Sequence, residues 1–507
     1  MQNTAKARFS QLERFREPFL TRARRASKLT IPSLITEDSH TGYTRLYTPY
    51  QGMGARGVNN LAAKLTLALL PPNSPFFRWD VDDYTLEEMT QQEGMRAEVE
   101  EALGKIERAV MTEVETSALR VTAMEAVRHL LVGGNALLYL PEEGGSKMFA
   151  LDRYVVKRDS MGTVFDIIVK ETIMQDALPV EVIAQLTNPN PEQLDREVDL
   201  YTRVTKGEKK WEVYQEVEGI PVPDSFGTYP LDKCPWIPLR FTKIDGEDYG
   251  RGYVDEYYGD LRSLEALSQA IVEGSAAAAK VIFFVNPNGV TKQKTVAESP
   301  NGAVRAGQSQ DISVLQMEKF NDFRVAMETM NGIEERLSFA FLLNSAVQRA
   351  GERVTAEEIR YMAQELEASL GGVYSILSVE LQIPVVHALM HRLEKQKRVP
   401  KLPKDSVHPS ITTGIDALGR GHDLDKLDMF LGGVLQTFGP EAVAEYIHIG
   451  DYLTRRATAL GIDSKGLVKS EEELQQEREQ AEEMHQQDQM QNMGGDMAKE
   501  VVKGAMK

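Results

Sequence analysis

The longest regular pattern in the sequence is an apolar stripe between Thr355 and Val399. Its apolar residues recur every three or four positions, the spacing that places side chains on one face of an α-helix. They are Ile359, Met362, Leu366, Leu370, Val373, Leu377, Leu381, Val385, Leu389 and Leu393. Thr355 and Glu358 have capping-box spacing, so we expect the helix to begin at Thr355. A helix of this length would extend roughly 65 Å, and Gly371–Gly372 and Pro384 within it predict one or two kinks.

Another amphipathic helix is predicted N-terminal to this one, and a polar segment separates the two. Its apolar stripe consists of Phe323, Met327, Met330, Ile333, Leu337 and Phe341. The segment between the helices, residues 344–354, contains one glycine and three charges, namely Arg349, Glu352 and Arg353. Two long helices that frame a polar loop are more typical of a mechanical element than of a catalytic pocket.

The charge balance limits how this chain can meet nucleic acid. A net charge of −18 over 507 residues argues against a protein that holds nucleic acid by wrapping it in lysines. It is compatible with a protein that nucleic acid slides past, because like charges repel. The single cysteine, Cys234, leaves no intrachain disulfide or Cys-based zinc site and indicates a reducing compartment.

Targeting and membrane signals are weak. The N-terminal residues contain no apolar signal segment. We find no window that reaches the roughly 18 apolar residues of a membrane span. We therefore expect a chain that is cytoplasmic at synthesis and has no membrane partner.

Residues 1–255 are predicted to form an α+β domain, with helices first and an antiparallel meander after them. Residues 1–30 favour a basic amphipathic helix with solvated arginines, and a phosphate-binding role is the less favoured alternative. A hairpin is predicted at Asp159–Gly162, and the meander is expected to continue to Ile237–Thr242.

A literal GxGxxG occurs at Gly52, Gly54 and Gly57, but no βαβ pattern surrounds it. The dinucleotide-binding interpretation is therefore rejected. We expect the glycines to allow close packing of the helix that follows, Val58–Leu70.

The second half of the chain is predicted to be mostly helical, with one small insertion. Residues 256–280 form a helix that ends in small residues, and residues 281–318 form a compact α/β unit between two helices that lie side by side. Lys292 and Lys294 give this unit local positive charge, which indicates either plain solubility or contact with an acidic partner or DNA. Residues 400–507 are helical after a turn-rich start at Pro400–Thr413 and end in an acidic, Gln-rich tail.

The sequence contains no recognisable catalytic constellation. His387 and His391 have metal-ligand spacing, but one pair is not a site, and a structural role is favoured. The acids Asp245, Glu247 and Asp248 are expected to be solvated turn residues. We find no phosphate loop, nucleophile elbow or reactive cysteine motif, so neither an enzymatic activity nor a cofactor is predicted.

Four stretches resemble the portal, or head-to-tail connector, proteins of short-tailed podovirus-type DNA bacteriophages. The most specific runs from Leu337 through Asn344–Arg349 to Gly351–Ala356. The other three are Gly54–Leu61, then Tyr249–Tyr253 with Asp260–Glu265, and finally Leu418–Gly421 with Asp423–Lys426. The polar segment 190–230 and the tail after about residue 465 look divergent from the family.

The resemblance implies a predominantly helical α+β portal fold that assembles into a twelve-fold ring around a DNA channel. Its parts would be the wing (1–255), stem helices (256–280 and 319–343), clip (281–318), tunnel loop (344–354), long kinked wing helix (355–399) and crown with tail (400–507). Tunnel-loop residues facing double-stranded DNA would be Val347, Gln348, Arg349, Glu352 and Arg353, and Lys292 and Lys294 would dock partners on the clip.

The resemblance also implies the partners: the terminase motor, tail or adaptor proteins, and capsid and scaffold proteins. The protein would lie at the portal vertex of the virion after assembly in the host cytoplasm. Two alternatives remain from the residues themselves. One is a ring-forming virion adaptor or scaffold that does not contact DNA, and the other is an enzyme with an unrecognised site.

Overall fold

The computed structural model describes residues 4–72, 75–81, 95–186, 196–278, 282–315, 320–343, 365–366, 368–370, 372–402, 407–412, 422–440, 443, 446–459 and 467. The helices within these ranges are α1 (Ala5–Leu29), α2 (Met53–Leu69), α3 (Met95–Thr116), α4 (Leu119–Gly133), α5 (Val180–Ile183), α6 (Tyr253–Glu256), α7 (Tyr258–Ala278), α8 (Gln293–Ala297), α9 (Phe320–Ala340), α10 (Val373–Leu377), α11 (Ile383–Lys395), α12 (His422–Phe438) and α13 (Ile449–Ala459).

The strands are β1 (Phe77–Val81), β2 (Asn135–Tyr139), β3 (Lys147–Phe149), β4 (Tyr154–Arg158), β5 (Val164–Met174), β6 (Glu197–Lys206), β7 (Lys210–Val217), β8 (Ile220–Pro221), β9 (Gly227–Pro230), β10 (Trp236–Arg240), β11 (Ile282–Val285), β12 (Ile312–Leu315) and β13 (Val407–Ile411). The mixture of helices with antiparallel sheets confirms the predicted α+β class.

The chain divides into two compact units. The first contains residues 1–76 and 113–395, and the second contains residues 77–112 and 396–507.

The first unit is built around an antiparallel meander, β4-β5-β6-β7-β8, with β9 added against β7. Alternate residues of its strands point to opposite faces, as the two-residue period requires. On one face Val155 and Ile168 pack with Phe9 and Leu12 of α1. The hairpin between β4 and β5 confirms the turn predicted at Asp159–Gly162, where Gly162 adopts φ +85°.

The last strand predicted for the meander lies in a different sheet. Strand β10 pairs with β2, so that Trp236 lies opposite Tyr139, and β3 completes a three-stranded sheet. Most residues of both strands are buried. Side-chain pattern indicates that such segments are strands, but it carries no information about which strand will be the neighbour. The prediction of one continuous meander is therefore wrong at β10.

Helix α1 uses several of its arginines inside the protein. Arg16 is buried and donates hydrogen bonds to the carbonyls of Asp152 (2.8 Å) and Tyr154 (3.2 Å). Arg8 forms an ion pair with buried Asp166 at 3.0 Å, and Arg24 donates to the carbonyl of Thr36. The expectation of a solvated basic face is wrong for these three residues, which attach α1 to the structure around it.

The long helix predicted from Thr355 is interrupted where the sequence indicated. Gly372 adopts φ +88°, a left-handed conformation, and α10 begins immediately after it. A π-helical turn at Ser378–Gln382 then precedes Pro384. Proline lacks the backbone N–H and its ring clashes with the carbonyl four residues earlier, so a widened turn accommodates it. Thr355 and Glu358 lie outside the described residues, as do the first residues of the predicted stripe.

Among the described residues one helical stretch, Val373–Lys395, is long and apolar enough to cross a membrane by length and composition alone. This finding corrects the expectation that no window reaches that limit. The stretch is weak evidence for a membrane span, because 56% of its apolar window is buried inside the protein, as in a core helix. Leu377, Leu381 and Leu389 are each at most 1% exposed.

The second unit contains a two-stranded sheet in which Phe77 lies opposite Ile411 and Trp79 opposite Pro409. The backbone N–H of Trp79 donates to the Glu107 carboxylate of α3 at 2.8 Å, and burial raises the pKa of that carboxyl. Strand β13 lies in the stretch expected to be turn-rich, so that prediction is wrong there. Its proline obscured the strand pattern, but proline is tolerated in an edge strand.

Candidate functional site

The predicted DNA-channel residues Val347, Gln348, Arg349, Glu352 and Arg353 lie outside the described residues. The structure describes what bounds them: α9 with the turn to Leu343 on one side, and Glu365 on the other. The described part of the candidate site therefore consists of these bounding residues and of helix α2, which contacts them.

The C-terminal end of α9 is capped by side chains from elsewhere in the chain. Terminal helical carbonyls have no partner within the helix, and donors near them also match the negative end of the helix dipole. The Tyr253 hydroxyl donates to the Ala340 carbonyl at 2.8 Å. The Asn60 amide donates to the carbonyls of Phe341 (3.0 Å) and Leu342 (3.1 Å).

Lys64 supplies the third cap and a second contact. Its ammonium donates to the Leu342 carbonyl at 3.0 Å and lies 3.8 Å from the Glu365 carboxylate. Lys64 is only 6% exposed. Burial lowers the pKa of the Lys64 ammonium, and the nearby Glu365 carboxylate opposes that shift. One buried cation of α2 therefore contacts residues on both sides of 344–364.

The glycines of the GxGxxG stretch permit this approach. Helix α2 begins at Met53, earlier than predicted, so Gly54 and Gly57 lie inside it. A Cβ atom at Gly57 would stand 2.6 Å from Cγ of Phe341, and one at Gly54 would stand 2.4 Å from the Leu29 carbonyl oxygen. Real side chains do not tolerate such distances, so the interpretation as close-packing positions is confirmed for Gly54 and Gly57. It is wrong for Gly52, whose Cβ position has no atom within 4 Å.

The N-terminal side of α2 is fixed by Glu265 of α7. The buried Glu265 carboxylate accepts hydrogen bonds from the Tyr47 hydroxyl and from the backbone N–H groups of Tyr50 (2.9 Å) and Gln51 (3.2 Å). The hydrogen bond to Glu265, together with burial, raises the pKa of Tyr47 to about 12. Gln51 in turn accepts from the Gly54 N–H at 2.8 Å.

The C-terminal side of α2 is attached to the helices that follow residue 371. The Tyr374 hydroxyl donates to the Ala68 carbonyl at 2.9 Å, and the buried Gln382 amide donates to the Leu69 carbonyl. Helix α2 is therefore hydrogen-bonded to the end of α9 and to the α10 region, and the segment before it is hydrogen-bonded to α7.

Helices α7 and α9 pack side by side, as predicted. The Phe323 ring occupies the space where a Cβ atom of Gly274 would stand, at 2.6 Å. Near the other end of the pair, Arg336 forms an ion pair with Asp260 at 2.8 Å. The two helices run in opposite directions, because the end of α7 meets the start of α9 and the start of α7 meets the end of α9.

The insertion between α7 and α9 contains a two-stranded antiparallel sheet, with Ile282 opposite Leu315. The buried Asp311 carboxylate accepts from the Thr291 N–H at 2.9 Å and fixes the turn before α8. Lys292 and Lys294 are both exposed. Lys294 lies 3.9 Å from Glu298, an exposed pair that contributes little to stability.

The structure separates the lysines of the insertion from the boundary that precedes residues 344–354. Lys292 and Lys294 lie before the start of α9 along the chain, and Leu342 follows its end. A helix of 21 residues is about 31 Å long, so the insertion and Leu342 lie at opposite ends of α9.

A buried charged cluster was not anticipated. Arg240 forms an ion pair with Glu380 of the π-helical turn at 2.6 Å. Asp248, expected to be a solvated turn residue, accepts from Lys157 and from the Arg158 backbone N–H, both at 2.8 Å. Burial lowers the pKa of Arg158 to about 10. No local sequence signal could have shown these contacts, because the partners are 90 or more residues apart.

The histidine pair is placed in a structural setting. His391 packs edge-on against the Tyr229 ring at 6.2 Å, and burial lowers its pKa. Within the described ranges no group of three or more His, Cys, Asp or Glu residues is arranged to hold a metal ion.

Comparison with known proteins decides the family. A family model described as bacteriophage head to tail connecting protein matches residues 2–468. This chain belongs to that family. It is 45% identical over 484 residues to the portal protein of Escherichia phage T7, a match that covers 94% of this chain and 90% of that protein. It is 44% identical over 478 residues to the portal protein of Enterobacteria phage T3, with 93% and 89% covered.

A solved structure is also similar to this connector chain at low identity. The neck of an empty GTA particle has a TM-score of 0.39 and 11% identity, with 82% of this chain and 90% of that chain covered. The resemblance to podovirus-type portal proteins is confirmed by the sequence relatives. Two of the four stretches that carried it also supply contacts described above. Gly54–Leu61 contains Asn60, and Tyr249–Tyr253 with Asp260–Glu265 contains Tyr253, which caps α9, and Glu265, which binds the segment before α2.

Proposed function

We propose that this connector assembles into a twelve-fold ring at one capsid vertex and forms the channel through which double-stranded DNA is packaged and ejected. The observation that carries the proposal is the α7–α9 pair. It has a compact insertion at one end and the boundary of residues 344–354 at the other. Copies of this helix pair arranged around an axis would form the wall of a channel. The insertions would then lie at one end of the channel, and residues 344–354 would lie toward its interior.

The proposed parts follow the chain, with the wing in 1–255, the stem in 256–280 and 319–343, the clip in 281–318, the tunnel loop in 344–354, the long wing helix in 355–399 and the crown with its tail in 400–507. DNA would pass without sequence specificity, because a chain with a net charge of −18 repels phosphate instead of gripping it. Residues Val347, Gln348, Arg349, Glu352 and Arg353 are the proposed loop contacts.

Exposed apolar side chains on the stem support lateral assembly. Val272 of α7 and Val325, Met327 and Phe339 of α9 are each more than half exposed in the single chain. Removing such apolar side chains from water against a partner is favourable. A neighbouring copy in a ring supplies one without any further protein, and cyclic symmetry repeats the contact around the axis.

The clip is the proposed docking site for the terminase motor and later for tail or adaptor proteins, through Lys292 and Lys294. Capsid and scaffold proteins would surround the wing. The protein would act without a cofactor and without catalysis, as a structural component of the virion assembled in the host cytoplasm.

Negative-stain electron microscopy of the purified protein tests the ring. We expect closed rings with an axial hole wide enough for duplex DNA. Monomers or open filaments at micromolar concentration would contradict the proposal. Closed rings without such a hole would favour an adaptor that does not contact DNA.

A substitution on the exposed small-residue end of α7 tests the lateral contact. Ala277 is exposed in the single chain, so Ala277→Leu should leave the subunit folded but overpack the contact with its neighbour. Overpacking costs about 1–3 kcal/mol, once per interface. We expect rings to be lost with Ala277→Leu and kept with the matched control Ala277→Ser. Wild-type ring yield from Ala277→Leu would show that this face stays in solvent.

A further inference from the structure

Helix α2 contacts described residues on both sides of 344–364. Leu342 is the last but one described residue before that segment, and Glu365 is the first after it. Lys64 contacts both, through the Leu342 carbonyl at 3.0 Å and the Glu365 carboxylate at 3.8 Å. Asn60, one helical turn earlier on the same face, donates to the carbonyls of Phe341 and Leu342.

We propose that Asn60 and Lys64 are positioning residues that register the two boundaries of residues 344–364 against a single rigid helix. Asn60 fixes the α9 boundary alone, whereas Lys64 joins that boundary to Glu365. The functional consequence rests on the proposed role of residues 344–354 in the channel. The anchoring itself rests only on the described contacts.

The local backbone needs such an anchor. Leu342 adopts φ +53°, a left-handed conformation that a branched side chain seldom takes without support. Its carbonyl accepts from both Asn60 and Lys64, and its side chain is buried. The positive φ ends the helical path at Leu342, and the two donors hold the carbonyl of that residue.

The choice of lysine fits a bridge better than it fits a simple cap. The Asn60 amide already satisfies the Leu342 carbonyl, so a cap alone would not require a buried ammonium. Burying a charge is costly unless it is paired and hydrogen-bonded. The Leu342 carbonyl supplies a hydrogen bond for Lys64 and the Glu365 carboxylate supplies an opposite charge.

Hydrogen–deuterium exchange of the full-length protein tests this assignment. The amides of Phe341, Leu342 and Leu343 donate within the last turn of α9 and report the first boundary, and peptides covering 365–370 report the second. We expect Lys64→Met to speed exchange at both boundaries by about tenfold, the scale of one lost hydrogen bond to a charged group. Asn60→Ala should speed it at 341–343 only, and Glu365→Gln at 365–370 only.

The neighbouring exposed residue Asn59 supplies the matched control, since Asn59→Ala should change neither boundary. Lys64→Arg keeps the charge and should restore slow exchange at both. If Lys64→Met is recovered only as aggregate, Lys64→Gln replaces it. Lys64→Gln should then speed exchange at both boundaries, whereas Glu365→Gln should speed it at 365–370 only. Faster exchange at 341–343 alone in the Lys64 variant would overturn the bridge and leave a helix cap.

DNA retention in assembled particles separates this inference from the proposed function. Faster exchange at both boundaries with reduced retention supports the inference and the channel role together. The same exchange pattern with normal retention supports the anchor and overturns the channel role of 344–354. Unchanged exchange at both boundaries overturns the anchor whatever the particles retain.

Discussion

The close approach of Gly57 in α2 to Phe341, the residue after α9, predicts a measurable cost for one added methyl group, in Gly57→Ala. The new Cβ atom would stand 2.6 Å from Cγ and 3.0 Å from Cβ of Phe341, well inside the roughly 3.5–4.0 Å optimum for two carbon atoms. The ring cannot swing away, because its root is in contact and the side chain is fully buried. It packs against Tyr253 at 5.8 Å and Tyr257 at 6.0 Å between ring centroids.

Two opposing free energies decide the result. Replacing glycine by alanine within a helix stabilises by about 1 kcal/mol, whereas overpacking a filled core costs about 1–3 kcal/mol. Gly332 of α9 has no atom within 4 Å of its Cβ position, so Gly332→Ala has the helical gain without the clash. The difference between the two variants therefore isolates the clash, and we expect Gly57→Ala to be the less stable by about 1–3 kcal/mol.

Urea unfolding at one protein concentration, followed by far-ultraviolet circular dichroism, measures that difference. Both variants should share the wild-type dependence on urea, so that the midpoints alone report stability. Equal midpoints for Gly57→Ala and Gly332→Ala would refute the close approach of Gly57 to Phe341.

Three further predictions concern charge. Burial lowers the pKa of His129 to about 4, from about 6.5 in the unfolded chain, so the unfolded chain binds more protons between those pH values. The free energy of unfolding should therefore fall by about 3 kcal/mol from pH 6.5 to pH 4. Urea titrations across that range should show that His129→Gln removes most of this loss. Arg349→Ala combined with Arg353→Ala should leave rings intact by microscopy but reduce stably packaged genome, and normal retention would count against the loop role. Lys292→Glu combined with Lys294→Glu should give normal rings that bind motor or tail partners poorly, most of all at low salt, and wild-type affinity and salt dependence would remove these lysines from the interface.

The candidate site was predictable in part. The compact insertion with Lys292 and Lys294 follows from patterns within a few tens of residues, whereas the polar segment 344–354 stays a prediction because it lies outside the described residues. The anchor on α2 could not be predicted in this way. Lys64 and Leu342 are 278 positions apart, and a lone lysine in an apolar helix carries no sign of the carbonyl it will meet.

Several element boundaries follow from the local sequence. Gly134 with φ +74° ends α4, and Gly372 interrupts the long apolar stripe, because a left-handed residue stops a helix wherever it lies in the fold. These effects depend on dihedral preference and on neighbours three or four positions away, so they can be read locally.

The tertiary structure alone decided which elements meet. It paired β10 with β2 and β13 with β1, turned Arg16 from a predicted solvated cation into a buried donor, and gave Asp248 partners on β4. In each case the segment offers a strand edge or a charged group that many partners could satisfy. Only the packing of the whole chain brings one of these partners close and excludes water from the contact. Which partner that is depends on long-range contacts, which the local sequence does not encode.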